Sequence, residues 1–161
     1  MNVPNGLSEI VATFGDIHAY IDGSGHILPA WEKEQLAEAE IPFALELSFA
    51  PAVLVTKIRC HRLLVSTITD VFTKIADQGV ANKVSTFGGC YAFRPERDGT
   101  KLSTHSWGIA LDLNPESNRQ GTVGMMDSDV VKIFTDAGFE WGGDWPMPRT
   151  DPMHMQFATG Y

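Results

Sequence analysis

The feature that most constrains the fold is a stripe of apolar residues between Leu64 and Val80. Leu64, Ile68, Val71, Phe72 and Ile75 recur at i, i+4, i+7, i+8 and i+11, the spacing that lines one face of an α-helix. Gly79 lies near the end of the stripe, where a helix C-terminus favours glycine. The segments that follow read as short strands. Residues 83–93 (KVSTFGGCYAF) are rich in β-branched and aromatic residues, and Gly88-Gly89 interrupts them, which predicts a strand with a bend or bulge. Residues 108–113 (GIALDL) alternate: Ile109, Leu111 and Leu113 share one face, and Gly108, Ala110 and Asp112 share the other. Further short strands are expected at 139–141 and 154–157.

Residues 7–14 (LSEIVATF) read as a short helix, and 127–138 as another, opening on good N-cap residues and ending in Gly138. Residues 30–40 (AWEKEQLAEAE) are strong helix formers between Pro29 and Pro42, and read as a surface helix. Helices and short strands without regular βαβ alternation point to an α+β fold, with a small antiparallel sheet flanked by helices. The 161 residues suit one compact domain, and neither repeat nor linker divides 1–161 in two.

Charge excludes some partners. Twelve Lys and Arg stand against 20 Asp and Glu, a net −8, which argues against non-specific nucleic-acid binding and offers no attraction to anionic membranes or cell walls. The N-terminus has no basic region followed by a long apolar run. It reads as neither signal peptide nor membrane span, so a cytoplasmically made protein without membrane insertion is expected, and a monomer. Cys60 and Cys90 lack a C-x-x-C arrangement and read as buried thiols rather than a bridge.

The chemistry concentrates in STHSWGIALDLNP, residues 103–115. On one straight strand His105 and Asp112 would sit roughly 23 Å apart on opposite faces. To share a ligand the chain must fold back between them, and Ser106-Trp107-Gly108 is where it can. Taken alone, the pair favours a plainer reading: a histidine hydrogen-bonded in a loop and an aspartate capping the turn before Asn114-Pro115. A later segment, TDPMHMQF at 150–157, changes the balance. There His154 and Gln156 share a strand face, and Asp151 precedes His154 across a proline. Two histidines and one carboxylate form a zinc ligand set that leaves a fourth position for water, and a further carboxylate beside that water can serve as general base. The H-E-x-x-H helix of other zinc proteases is absent.

These residues resemble a known family. The pattern S-x-H-x-x-G-x-A-x-D is filled by Ser103, His105, Gly108, Ala110 and Asp112, and the partner pattern, an acidic residue then x-x-H, by Asp151 and His154. The chain thus resembles the zinc peptidases of bacterial cell-wall peptides. These comprise VanY-type D-Ala-D-Ala carboxypeptidases, the D-Ala-D-Ala dipeptidase of vancomycin resistance, and phage endolysins that cut L-Ala–D-Glu; the wider group shares its fold with the hedgehog signalling domain. The likeness runs from about residue 85 to 161 and leaves the role of 1–60 open.

The resemblance implies one zinc per chain held by His105, Asp112 and His154, with Asp151 as catalytic base. It implies Arg94, or less favourably Arg97, as the group holding a substrate carboxylate or the oxyanion, although Tyr91-Ala-Phe-Arg94 departs slightly from the family's usual Tyr–Arg arrangement. Ser103, Trp107 and Gln156 join Arg94 as expected substrate contacts. Trp141-Gly-Gly-Asp-Trp145 recurs in similar sequences, its aromatics either walling the cleft or packing over a glycine turn. His18, His26 and His61 lack ligand-like spacing and read as solvent-exposed or structural. The implied substrate is a peptidoglycan stem peptide. The favoured activity is a phage endolysin-type L-Ala–D-Glu endopeptidase, reaching the wall after holin-type release or within a phage particle. D-Ala-D-Ala carboxypeptidase is the alternative. A hedgehog-like module that binds zinc without hydrolysis is the second, though it should lack the acid that Asp151 supplies.

Overall fold

The computed structural model describes residues 1–96, 99 and 101–161. Four helices and six strands appear in the order α1 (Gly6–Phe14), α2 (Pro29–Gln35), β1 (Leu36–Leu47), β2 (Ala50–His61), α3 (Val65–Asp77), β3 (Thr86–Gly89), β4 (Ala110–Leu113), α4 (Ser128–Asp136), β5 (Glu140–Trp141) and β6 (His154–Gln156). The strands form one sheet in the order β2-β1-β3-β4-β6-β5. The fold is α+β, as expected. The sheet is larger than expected and mixed rather than antiparallel, because β1 and β3 run parallel through Glu46–Thr86 and Leu47–Phe87.

The stripe on α3 does what its spacing predicts: Ile68, Val71, Phe72 and Ile75 are all buried. Phe72 meets Phe134 of α4 edge-on at 6.0 Å between ring centroids, a favoured aromatic geometry. Phe134, Phe139, Phe157 and Phe14 continue the chain of edge-to-face contacts through the core. No helix among the described residues is long and apolar enough to cross a membrane. Cys60 and Cys90 are buried free thiols, and burial pushes the Cys60 thiol up to about 12.

The helix expected over 30–40 stops at Gln35, and Leu36 begins a strand. The reason is visible in A-E-A-E-I itself, which alternates as well as favouring helix. Ala39 and Ile41 are buried, while Glu38 and Glu40 point outward to Lys57 of β2, each at 3.4 Å. Pairing from Leu36–His61 to Glu40–Lys57 overrides the helix propensity of Ala and Glu. The register then shifts between Glu40 and Leu45, around Pro42, which has no N–H to give to a ladder.

His61 closes β2 and is fully buried. Its Nε2–H donates to the Phe14 carbonyl at 3.0 Å, and its Nδ1 accepts from the Leu63 N–H at 3.3 Å. Burial pushes its pKa down to about 4, against the pull of the Phe14 carbonyl. The unfolded chain protonates near the ordinary value of about 6.5. The stability carried by the neutral ring is therefore complete above about pH 6.5 and is lost as pH falls toward 4, to the extent of roughly 3 kcal/mol. Urea unfolding at pH 7, 5.5 and 4 should show this loss, and His61→Gln should flatten it; an identical slope in the variant would remove His61 as the cause.

Candidate metal centre and cleft

The metal-site residues come from three neighbouring pieces of the sheet. Asp112 lies on β4 directly opposite His154 on β6, an antiparallel pair whose side chains share a face. His105 arrives from a 3-10 turn, Thr104–Trp107, capped by the Ser103 hydroxyl accepting from the His105 N–H at 3.3 Å. Gly108 then reverses the chain with φ of 70° and feeds β4, the fold-back that His105 and Asp112 require. A Cβ at Gly108 would lie 2.9 Å from the His61 backbone nitrogen and 3.1 Å from a Leu36 methyl. Gly108→Ala thus combines left-handed strain with overpacking against backbone, and should destabilise the protein by about 2–4 kcal/mol in denaturant titration. A cost under half a kilocalorie would refute this reading.

The Gly88-Gly89 interruption has a specific cause. A Cβ on Gly88 would come within 2.9 Å of the Asp112 Cβ, so only glycine lets β3 lie beside the strand that carries Asp112. The β3–β4 register slips between Phe87 and Gly89, the bulge that the sequence predicts. Asn114, with φ of 47°, ends β4 and binds the Ser85 and Thr86 N–H groups through Oδ1 and the Lys83 carbonyl through Nδ2.

The three side chains meet. One Asp112 oxygen lies 3.3 Å from His105 Nε2 and 3.2 Å from His154 Nδ1, and one donor atom from each residue falls within 4.8 Å of the others. The far ring nitrogens are already used. His105 Nδ1–H donates to the Cys90 carbonyl at 2.7 Å, and His154 Nε2–H donates to Gln156 Oε1 at 3.1 Å. Those bonds fix both tautomers and leave a lone pair on His105 Nε2 and on His154 Nδ1 facing the aspartate. His105 Nε2 is buried with no hydrogen-bond donor on it. Burial alone would push Asp112 upward, but His105 and His154 outweigh it and hold the carboxyl well below the usual range. Burial likewise opposes a charged His154, and Asp112 outweighs that and raises its pKa. Two imidazole lone pairs and one ionised carboxylate, oriented from behind, fit a zinc ion.

Behind His154 a relay of polar groups runs along β6 and β5. Gln156 Oε1 also accepts from the Thr104 hydroxyl at 3.1 Å, and Gln156 Nε2 donates to Glu140 at 3.4 Å. Glu140 in turn accepts from the Trp145 indole at 2.7 Å, and the Trp145 ring lies 5.4 Å from that of His154. Gln156→Ala should weaken zinc binding by roughly 10–100-fold in a chelator competition; unchanged affinity would mean that Thr104 alone orients the ring.

The centre opens into a cleft of about 580 Å³, within the range of small-molecule and peptide sites. Arg94, Ser103, Asp151 and Gln156 line it, as do Lys101, Trp145, Arg149 and Tyr161. Asp151 is set in a turn, its N–H bonded to the Gly142 carbonyl at 2.8 Å and its carbonyl accepting from His154 N at 3.0 Å. Arg94 is positioned through its backbone, which exchanges bonds with Ser106 and Ser103. Trp107 differs from expectation: it is fully buried, its indole N–H bonds the Gly15 carbonyl at 3.1 Å, and it does not line the cleft. An apolar residue inside a motif serves the core here, while Trp145 provides the aromatic wall. Gln156 is only 2% exposed and holds His154 rather than presenting a free amide. Trp141 packs over Gly143, whose added Cβ would strike its ring, so the W-G-G-D-W segment fulfils both of its alternatives. Arg97 lies outside the described residues. His18 and His26 are exposed, and His61 is structural.

Sequence reasoning had no access to the Cys90 carbonyl, Thr104, Glu140, Lys101 or Arg149. Glu140 was reachable only through the β5–β6 register that sets it opposite Gln156. Residues 97–157 match the sequence model of a family described as D-alanyl-D-alanine carboxypeptidase. The C-terminal part of the chain is similar to that peptidase family. The matched stretch contains Ser103, His105, Asp112, Asp151 and His154, and begins three residues after Arg94. No curated protein matches the chain. Similarity to a family of zinc peptidases agrees with the donor set and its two oriented imidazoles.

Proposed function

We propose that the chain is a zinc-dependent peptidase of peptidoglycan stem peptides, cutting between L-Ala and D-Glu in the manner of a phage endolysin. The observation that carries the reading is the convergence of His105, Asp112 and His154 at the floor of a cleft that Asp151 also lines. Zinc bound there would supply Lewis-acid chemistry, lowering the pKa of a water to about 7 and polarising the scissile carbonyl. Asp151 takes the proton from the attacking water and returns it to the leaving amine. Arg94 offers a guanidinium to the oxyanion or to a substrate carboxylate. Cys90 and Gln156 keep the two imidazoles turned toward the floor. A monomer acting on the wall after release, or from within a phage particle, fits this chemistry.

The description of the matching family favours a second reading, removal of the terminal D-Ala. Digestion of purified peptidoglycan by the zinc-loaded protein, with fragments identified by mass spectrometry, separates the two. New L-Ala carboxyl ends and D-Glu amino ends support the endopeptidase. Release of D-Ala alone selects the carboxypeptidase. No cleavage of any wall type, with one zinc bound per chain, overturns both and leaves a zinc-binding module.

A further inference from the structure

We propose that Glu140 is a positioning residue for the metal centre: by accepting a hydrogen bond from Gln156 it dictates which ring nitrogen of His154 is left bare for the ion. The inference rests on the zinc-peptidase reading and adds the group that sets the state of one of its ligands. Glu140 on β5 lies directly opposite Gln156 on β6, so the two side chains share a face of the sheet. Gln156 Oε1 accepts from His154 Nε2–H at 3.1 Å and from the Thr104 hydroxyl at 3.1 Å. Its Nε2 donates to Glu140 at 3.4 Å and to the Ala158 carbonyl at 3.3 Å.

An amide has one accepting end and one donating end, and turning it over exchanges them. On the His154 side either orientation can be satisfied. The Thr104 hydroxyl both donates and accepts, and it also lies 3.4 Å from His154 Nε2. The imidazole can carry its proton on either nitrogen. With the amide turned over, its N–H would point at Nε2 and the ring proton would move to Nδ1. Asp112, 3.2 Å from Nδ1, would accept that proton, and the lone pair needed for the ion would be lost. The choice is therefore made at the other end of the amide. Glu140 and the Ala158 carbonyl can only accept, so the NH2 must turn to them. Of these two acceptors Glu140 is the charged one, and the stronger.

Both oxygens of Glu140 meet donors, because its second oxygen accepts from the Trp145 indole at 2.7 Å. A glutamine at position 140 would offer these two donors one oxygen and one NH2. Trp145 has the shorter bond and keeps the oxygen. The NH2 is left facing Gln156, whose amide is then free to turn. Exchanging the two residue types restores the pattern. A carboxylate at 156 accepts from His154 and Thr104 through one oxygen, and from the new amide at 140 through the other.

Zinc affinity from chelator competition tests this on the full-length protein, with each variant first matched to the parent by circular dichroism. Glu140→Gln should bind zinc roughly 10–100-fold more weakly. Adding Gln156→Glu should bring the affinity back to within about threefold of the parent. A role in packing alone would not be rescued by a second change of charge. Affinity of Glu140→Gln within about threefold of the parent, or an exchanged pair that binds no more tightly than Glu140→Gln, overturns the proposal. Where Glu140→Gln alone does not fold, the exchanged pair decides: failure to fold, or affinity more than about tenfold below the parent, overturns it. A parent without stoichiometric zinc removes the proposal together with the metal centre. The expected pattern of affinities without cleavage of any peptide upholds Glu140 and removes the peptidase reading instead.

Discussion

Replacing Asp151 by alanine should leave one zinc per chain while lowering kcat by roughly 10²- to 10⁴-fold, the usual span for loss of a positioned general base. The two effects separate because Asp151 stands outside the three-residue donor cluster but lines the same cleft. KM should change little, since the lost contact belongs to proton transfer rather than to ground-state binding. Metal analysis and steady-state kinetics on one preparation check both halves. A variant that loses zinc in proportion to activity would make Asp151 a ligand or a structural support. A variant with near-normal kcat would move the base elsewhere, and Glu96, which also lines the cleft, would be examined next.

The second large effect concerns Asp112. Asp112→Ala should abolish stoichiometric zinc binding, at a cost above the roughly 10–100-fold that follows loss of an outer-shell partner. The carboxylate lies within 3.3 Å of one nitrogen on each histidine and supplies the anionic donor of the set. The fold should survive, because the ladder bonds of β4 to β3 and β6 come from backbone, and circular dichroism of the variant should match the parent. Full occupancy in Asp112→Ala would mean that two imidazoles and solvent suffice, contradicting the assignment. His105→Ala should behave similarly, with the Cys90 carbonyl left to find another donor.

What could be read in the sequence depended on distance along the chain. The α3 stripe, the bulge at Gly88-Gly89 and the reversal at Gly108 are local patterns, and each appears where spacing puts it. Leu36–Glu40 misled because its composition favours helix, and only pairing with Ile58–His61 and its neighbours turns the same letters into a strand. The β1–β2 hairpin left no unambiguous periodicity, and so the sheet came out larger and mixed. At the site, the donors form a readable pattern because Asp112 and His154 sit at the ends of short alternating runs. Trp107 misled through proximity to His105 in sequence, when its indole reaches 92 positions back to Gly15. Arg149 and Lys101 carried no spacing signal at all, since a cleft is made by loops that meet only after folding.

The tether from Trp107 to Gly15 bears on how this activity could be moved or trimmed. Gly108 gives its carbonyl to the His61 N–H at 2.8 Å, Gly6 N–H bonds Thr159 at 2.7 Å, and β3 leans on β1. The segment bearing every motif therefore shares one hydrophobic core with α1, β1, β2 and α3 rather than closing one alone. A truncation at residue 85 would strip the turn that delivers His105 of its backing, and grafting the motif segment onto another scaffold would transplant the ligands without the geometry that makes them one.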